Sequence, residues 1–169
     1  MKKILFTILI SIFGVMSSKA QEIDSLQLKS DSITVESLAA RLDKLQHDYD
    51  YLYCENKFNC IQYEIKIFAN NVSIESNSIR TFYFNNQFSV ALYNSYKRGY
   101  EAKMKLYDTF KNSLAYTKSI VNLKIASSNF SDKEITYFND YAVYLDSCLS
   151  SAEEALVHYK AGLDAYRSM

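Results

Sequence analysis

The sequence contains no proline and little glycine: of its 169 residues none is proline and three are glycine. Folds made of strands and tight turns need these residues for rigid bends and for backbone with a positive φ. A chain with so few of these residues is expected to contain few tight turns. We therefore expect long helices joined by few connections.

Sequence signatures of catalysis are also absent. There is no glycine-rich phosphate loop, no His-Glu-x-x-His helix and no Cys-x-x-Cys pair. Nucleophilic catalysis brings together a nucleophile, a base and an orienting acid. The only two histidines, His47 and His158, lie in no motif of that kind. We predict that the protein is not an enzyme and carries no cofactor.

The N-terminus has the composition of a bacterial secretory signal peptide. A short positive start is followed by an almost wholly apolar run over residues 4–16, which is too short for a permanent membrane span. Small residues then precede a cleavage site between Ala20 and Gln21. We predict that residues 1–20 are removed and that the rest of the chain is secreted or periplasmic, without a membrane span.

The charge of the exported chain is weakly acidic. All 19 acidic residues follow residue 20, whereas three of the 19 basic residues precede it, which leaves a net charge of −3. A nucleic-acid partner would need clustered Lys and Arg to neutralise its phosphates, and no basic run follows any predicted face. The sequence therefore predicts no nucleic-acid binding.

Residues 21–31 are polar and show no sustained period, so we predict a flexible N-terminal tail. Asp24-Ser25-Leu26 and Asp31-Ser32-Ile33 resemble the short acceptor of some bacterial O-glycosylation systems. The alternative is that Asp31 or Ser32 caps the first helix. The sequence leaves both readings open.

The first helix carries two apolar series at steps of three and four. The early series is Val35, Leu38, Leu42, Leu45, Tyr49 and Leu52. The late series is Tyr51, Cys54, Phe58, Ile61, Ile65, Phe68 and Val72. A step of two residues turns about 200° round a helix axis, so the two series occupy nearly opposite faces. In a bundle of three helices, one of these faces is expected to remain available.

Two asparagine-rich sites are candidates for the turn after this helix. Asn70-Asn71 is one, and Asn85-Asn86-Gln87 is the other. We predict that the first helix ends near residue 70, that residues 71–78 are irregular, and that the second helix covers about 86–126. The second helix has its own apolar series: Tyr93, Tyr96, Tyr100, Tyr107, Phe110, Leu114 and Val121. Gly99 lies inside it, and either close approach of another helix or sequence drift would explain a glycine at this position.

The third helix has the clearest start. Ser131 and Glu134 have the spacing of a capping box, in which each side chain accepts a hydrogen bond from the other residue's backbone N–H. Ten apolar positions then keep steps of three and four: Ile135, Phe138, Ala142, Leu145, Leu149, Ala152, Leu156, Tyr159, Leu163 and Tyr166. These positions predict one helix over about 132–167.

The three helices together predict the fold class. Residues 32–169 should form a single all-α domain with helices at about 33–70, 86–126 and 132–167. Long helices with heptad seams and short connections are typical of an elongated up-down-up bundle with coiled-coil-like packing.

One group of side chains has the spacing of a weak metal site. Asp43, His47, Asp50 and Cys54 lie along one stripe of the first helix, and imidazole with carboxylate one turn apart can bind a transition metal. The competing interpretation is a solvated polar face opposite the early series.

The cysteines allow two interpretations. Cys54 and Cys60 cannot bridge within one continuous helix, because their separation along the axis and their directions differ too much. Cys148 can form a disulfide with one of them and leave one thiol, or all three can stay reduced.

The sequence contains fifteen tyrosines, most of them at heptad or flanking positions. Tyrosine is favoured on protein recognition surfaces. Our leading hypothesis is an exported helical structural or interaction protein that binds another protein or a second copy through apolar, tyrosine-rich faces. The alternative is a small-ligand carrier that holds a metal or an aromatic molecule between its helices.

Overall fold

The computed structural model describes the backbone of residues 2–87 and 89–168 and the side chains of residues 35–87 and 89–168. The predicted signal peptide, the cleavage site between Ala20 and Gln21, the tail at 21–31 and the candidate acceptors Ser25 and Ser32 lie outside the residues whose side chains are described. They remain predictions. Among the described residues no helix combines the length and the apolar character needed to cross a membrane.

The protein is all-α, as predicted. It has three helices, α1 at Lys2–Phe84, α2 at Val90–Ser127 and α3 at Asp132–Arg167, and the described residues contain no strand. The chain divides into two compact units, Met1–Gln46 and His47–Met169. The first unit holds only the beginning of α1. The second unit is a helical bundle made of the rest of α1 with α2 and α3.

The predicted end of the first helix near residue 70 is wrong, and so is the irregular stretch at 71–78. Helix α1 continues to Phe84, since Val72, Ser76 and Ile79 are all buried on its core side. Ser76 and Ile79 continue the buried face of α1 for about two turns beyond Val72, the last residue of the late series. The free energy gained by packing these side chains in the core explains why the chain stays helical through Asn70 and Asn71.

The turn between α1 and α2 lies at the other asparagine-rich site. Asn86 has a φ of 53°, in the left-handed region that asparagine tolerates better than most residues. The N–H of Gln87 donates to the carbonyl of Phe82 at 3.0 Å, and the N–H of Asn86 donates to that of Tyr83 at 3.1 Å. This pair of bonds is a Schellman motif, which satisfies the last carbonyls of the helix.

The starts of the other two helices are capped by serine. Ser89 is the N-cap of α2, which begins at Val90 rather than near residue 86. The predicted capping box of α3 is confirmed: the N–H of Glu134 donates to Ser131 Oγ at 3.4 Å, and Glu134 Oε2 accepts from the N–H of Ser131 at 2.8 Å. The bounds of α3 agree with those predicted.

The core of the second unit is formed by all three helices. Contacts between α1 and α3 follow the same order along both, from His47 with Glu134 to Glu75 with Tyr159. Contacts between α1 and α2 follow opposite orders: Lys124 pairs with Asp50, and Lys103 pairs with Glu75. Both α2 and α3 therefore pack against the part of α1 that follows Gln46.

Gly99 lies where α2 passes a buried tyrosine of α3. A Cβ at this position would stand 3.2 Å from the hydroxyl oxygen of Tyr159. That hydroxyl is held by hydrogen bonds to Glu75 Oε2 at 3.0 Å and to the carbonyl of Tyr96 at 3.1 Å. It cannot move away without weakening them, so the close approach expected at this glycine is present.

A double-mutant cycle tests this account of Gly99. Inside a helix, alanine normally raises the free energy of unfolding by roughly 1 kcal/mol relative to glycine. Gly99→Ala in the natural protein should raise it by much less. In the Tyr159→Phe background, where the crowding oxygen is absent, the same change should give nearly the whole stabilisation. The free energies of unfolding of the four proteins measure the difference. Equal gains in both backgrounds would show that the hydroxyl does not restrict this position.

Candidate interaction surface

The first unit carries an exposed apolar stripe on α1. Its members, the first four of the predicted early series, are between 50% and 65% exposed: Val35, Leu38, Leu42 and Leu45. We call these four residues the N-terminal stripe. Apolar side chains that recur at steps of three and four on one face normally pack against another element. Here they face solvent.

In the second unit, α1 turns the late series inward. The six side chains of this series after Tyr51 are between 0% and 5% exposed: Cys54, Phe58, Ile61, Ile65, Phe68 and Val72. Tyr49 and Leu52, which belong to the early series, are 61% and 54% exposed. The predicted change of face at these residues is therefore present, and it is the early face that remains available.

The exposed face of α1 in the second unit extends well beyond Leu52. At 100° per residue its members lie within about 80° of one another round the axis. We call them the outer face: Tyr49, Leu52, Asn56, Cys60, Tyr63, Ile67, Asn70 and Ile74, all of which are exposed. Sequence reasoning missed the part after Leu52 because its members interleave with the inward series. The steps of three and four from Cys60 to Ile74 were the available signal.

Tyrosines of α3 border this surface and make polar contacts with α1. The Tyr137 hydroxyl donates to Glu55 Oε1 at 3.1 Å, and the Tyr141 hydroxyl donates to Asn59 Oδ1 at 2.5 Å. Burial, and then the bond to Glu55, raise the pKa of Tyr137 to about 12. These tyrosines therefore hold α3 against α1 as neutral hydroxyls.

Two further tyrosines donate to carboxylates within the bundle. Tyr107 donates to Glu153 Oε2 at 3.0 Å, and burial followed by this bond raises the pKa of Tyr107 to about 12. Burial and the bond to Glu75 raise the pKa of Tyr159 in the same way. Each hydroxyl must keep its proton to donate, so both contacts require the neutral side chain.

These pKa shifts predict a loss of stability at high pH. The folded pKa of Tyr107 lies above its ordinary value of 10.0, so its contribution is complete below about pH 10 and is lost as the pH rises towards 12. Tyr107→Phe should therefore lose less stability than the natural protein over that interval. Denaturation at several alkaline pH values measures this. Tyr116→Phe, at a 69% exposed position, is the control and should follow the natural protein.

The candidate metal ligands are not brought together. Asp43 is exposed in the first unit, and His47 Nε2 lies 3.3 Å from Glu134 Oε2. Asp50 Oδ1 pairs with Lys124 Nζ at 2.7 Å. Within the part of the chain whose side chains are described, no group of three His, Cys, Asp or Glu side chains is placed to hold a metal ion.

The competing interpretation of a solvated face is also wrong for half of this group. Asp50 is only 4% exposed, and Cys54 is fully buried. Both lie on the core side of α1, because the inward face rather than the early series packs against the other helices. Ser128 Oγ donates to Asp50 Oδ2 at 2.6 Å, which gives the buried carboxylate a second partner.

The three cysteines are free thiols. Cys54 and Cys148 are buried, and Cys60 is exposed on the outer face. Burial raises the pKa of the Cys54 thiol, which lowers its fraction of reactive thiolate. The candidate bridge from Cys148 to Cys54 or Cys60 is not formed in this structure.

Open grooves lie between the helices of the second unit. One of about 330 Å³ lies between α2 and α3 and is lined by Tyr100, Met104, Tyr107, Leu156 and Lys160, among others. Another of about 310 Å³ lies between the ends of α1 and α3 and is lined by residues that include Tyr83, Phe84 and His158. Both have predominantly apolar walls and are open to solvent.

No protein-family model, no curated protein and no solved structure matches the chain. What the protein does has to be inferred from its own residues. The N-terminal stripe and the outer face both expose large apolar side chains along α1.

Proposed function

We propose that this is an exported helical structural or interaction protein, which binds another protein or a second copy through exposed apolar faces of α1. The observation that carries the proposal is the exposure of a regular apolar series. The four residues of the N-terminal stripe are each at least half exposed. Monomeric soluble proteins rarely leave such a contiguous series in water unless it binds something.

The energetics favour a macromolecular partner. Burying apolar surface contributes about 25 cal/mol per Å², and an extended row along a helix offers this area to another helix rather than to a compact ligand. In the second unit, exposed tyrosines of α1 such as Tyr49 and Tyr63 supply large rigid contact area of the kind enriched at interface hot spots. Both kinds of side chain suit a partner that lays a helix along α1.

The finer architecture is part of the same proposal. We infer that the second unit is an up-down-up bundle whose seams have heptad spacing. The order of the contacts supports this, since α3 meets α1 in the same direction and α2 meets it in the opposite one. The burial of Phe138, Leu145, Ala152 and Tyr159 on α3, at steps of seven, supports the seam.

Export completes the proposal and depends on the sequence alone. A positive start, an apolar run and small residues before Gln21 support a cleaved signal peptide, and hence a secreted or periplasmic protein. The N-terminal sequence of protein recovered from its host would begin at Gln21. A start at Met1 would remove the basis for export.

The interaction is tested with a matched pair of substitutions in the N-terminal stripe. Leu42→Glu places a charge on the stripe, and Ala40→Glu places the same charge on another exposed face of the same helix. Sedimentation and pull-downs of the exported protein measure self-association and retained envelope proteins. Leu42→Glu should weaken the association about tenfold or more, and Ala40→Glu should not. A protein that stays monomeric at high concentration and retains no partner would contradict the proposal.

A small-ligand carrier is the second candidate. The groove between α2 and α3 favours it, because its volume of about 330 Å³ and its wall of Tyr100, Met104 and Leu156 suit a flat aromatic molecule. Metal analysis and an absorbance spectrum of protein purified from its own host decide between the two. A stoichiometric metal or a chromophore would favour the carrier.

A further inference from the structure

We propose that the outer face of α1 in the second unit binds the same face of a second copy of this chain, with the two helices parallel and in register. This inference rests on the proposed function and names the partner for one of its surfaces. Residues 49–74 span about 38 Å of helix, long enough for several layers of a two-stranded coiled coil. Its members stay exposed because the inward series, on the opposite side of α1, packs against α2 and α3.

The positions of two asparagines favour a second copy in register. Asn56 and Asn70 both lie on the outer face, among tyrosine, leucine and isoleucine. An unrelated apolar partner would leave each buried amide without a hydrogen-bond partner, which costs free energy. In a parallel pair in register, each amide meets the same amide of the second copy. A buried asparagine of this kind is known to fix the register of parallel dimers.

An antiparallel pair whose outer faces are matched end to end would satisfy these amides less well. If the outer faces were matched in opposite directions, Asn56 would meet Ile67 and Asn70 would meet Leu52 of the second copy. Each asparagine would then be buried against an aliphatic side chain. A register shifted by three residues would match Asn56 with Asn70, but it moves Tyr49 to the level of Asn77, which lies beyond the outer face. The parallel pair in register therefore satisfies both amides and keeps every layer of the outer face.

The charges beside the outer face are self-complementary in the parallel arrangement. Lys57 and Glu64 border it on one side, and Glu55 and Lys66 border it on the other. In a parallel pair the two different borders meet. Along the helix axis, Lys57 then lies two residues, or about 3 Å, from the level of Glu55 of the second copy. Glu64 lies at the same axial distance from Lys66 of the second copy. Both pairings join opposite charges, which favours a second copy over a partner of arbitrary charge.

Cys60 provides the test because it is the exposed thiol on this face. In a parallel pair it meets Cys60 of the second copy. Oxidised glutathione should then convert the two thiols into one intermolecular disulfide and be reduced to two molecules of glutathione. Gels without and with reductant measure the covalent dimer. Ile67→Glu should lower its yield about tenfold or more while leaving the helical circular dichroism unchanged.

Moving the thiol along the helix tests the direction. In the Cys60→Ser background, Asn56→Cys and Asn70→Cys should both form covalent dimers, because every outer-face residue of a parallel pair meets its own counterpart. Asn112→Cys on α2, at an exposed position away from this face, should not. In an antiparallel pair the thiols that either variant introduces into the two copies would lie too far apart to bridge. Failure of both variants, with success of the natural Cys60, would therefore overturn the parallel arrangement.

The outcome also separates this inference from the proposed function. If no thiol on the outer face cross-links and the association still depends on Leu42, the inference is wrong and the proposed function stands. If the protein is monomeric and Leu42→Glu changes nothing, both are wrong.

Discussion

Replacing Phe138 with alanine is expected to lower the free energy of unfolding by about 3–5 kcal/mol. Phe138 is 1% exposed and lies where α1 and α3 meet. Its ring centroid is 5.2 Å from that of Tyr51, 5.6 Å from that of Phe130 and 6.3 Å from that of Phe58. Alanine would leave a cavity among three aromatic rings that cannot all close upon it. Chemical denaturation of the purified protein measures the loss.

Val143→Ala is the matched control on the same helix. Val143 is 68% exposed, and its truncation should change stability by no more than about 0.5 kcal/mol. Similar losses for the two variants would show that α3 does not turn its Phe138 side towards α1.

Asp50→Ala is expected to cost about 1–3 kcal/mol, although no apolar group is removed. The carboxylate is 4% exposed and joins two segments distant in sequence, through Lys124 Nζ at 2.7 Å and Ser128 Oγ at 2.6 Å. Its removal leaves an ammonium group and a hydroxyl at the end of α2 without their acceptor. The pKa of Lys124 is raised, chiefly by this hydrogen bond, which agrees with a favourable contact.

The control for Asp50 is an ion pair of the same chemistry at the surface. Lys118 Nζ lies 2.5 Å from Asp146 Oδ1, and the aspartate side chain is 59% exposed. Solvent screens such a pair, so Asp146→Ala should cost between about 0 and 1 kcal/mol. Thermal and chemical denaturation of both variants compare them. Equal losses would mean that burial adds nothing to the contact of Asp50.

Helix α3 shows how much local sequence could predict. Its start is set by a reciprocal capping box between Ser131 and Glu134, and its apolar positions keep one rhythm to Tyr166. Both signals lie within a few residues of the feature they determine. The bounds and the inward face of this helix were therefore predictable without knowing what packs against it.

The end of α1 was not predictable in the same way. Asn70-Asn71 and Asn85-Asn86 have the same turn-forming side chains, and only the second pair is placed in a turn. What decides between them is the burial of Val72, Ser76 and Ile79 against the other helices. Ser76 is polar and interrupts the apolar series, so the continued inward face was hidden in the sequence. Tertiary packing overrides the local preference here.

The candidate surface was predicted in kind but not in extent. The change of face near Tyr49 and Tyr51 follows from the helical period, and it implies that one series stays available. Which series is covered depends on where α2 and α3 pack, and this is not a local property. The same reason places Asp50 in the core, where a sequence pattern alone suggests a polar surface.

Thiol labelling of the native protein at low concentration tests most directly that α1 buries one face and leaves the other available. Cys60 lies on the outer face, whereas Cys54 and Cys148 are buried. We expect one thiol to react rapidly, to be identified as Cys60, and the other two to react only when the protein unfolds. Rapid labelling of Cys54, or protection of Cys60 in the dilute monomer, would contradict the assignment of inner and outer faces.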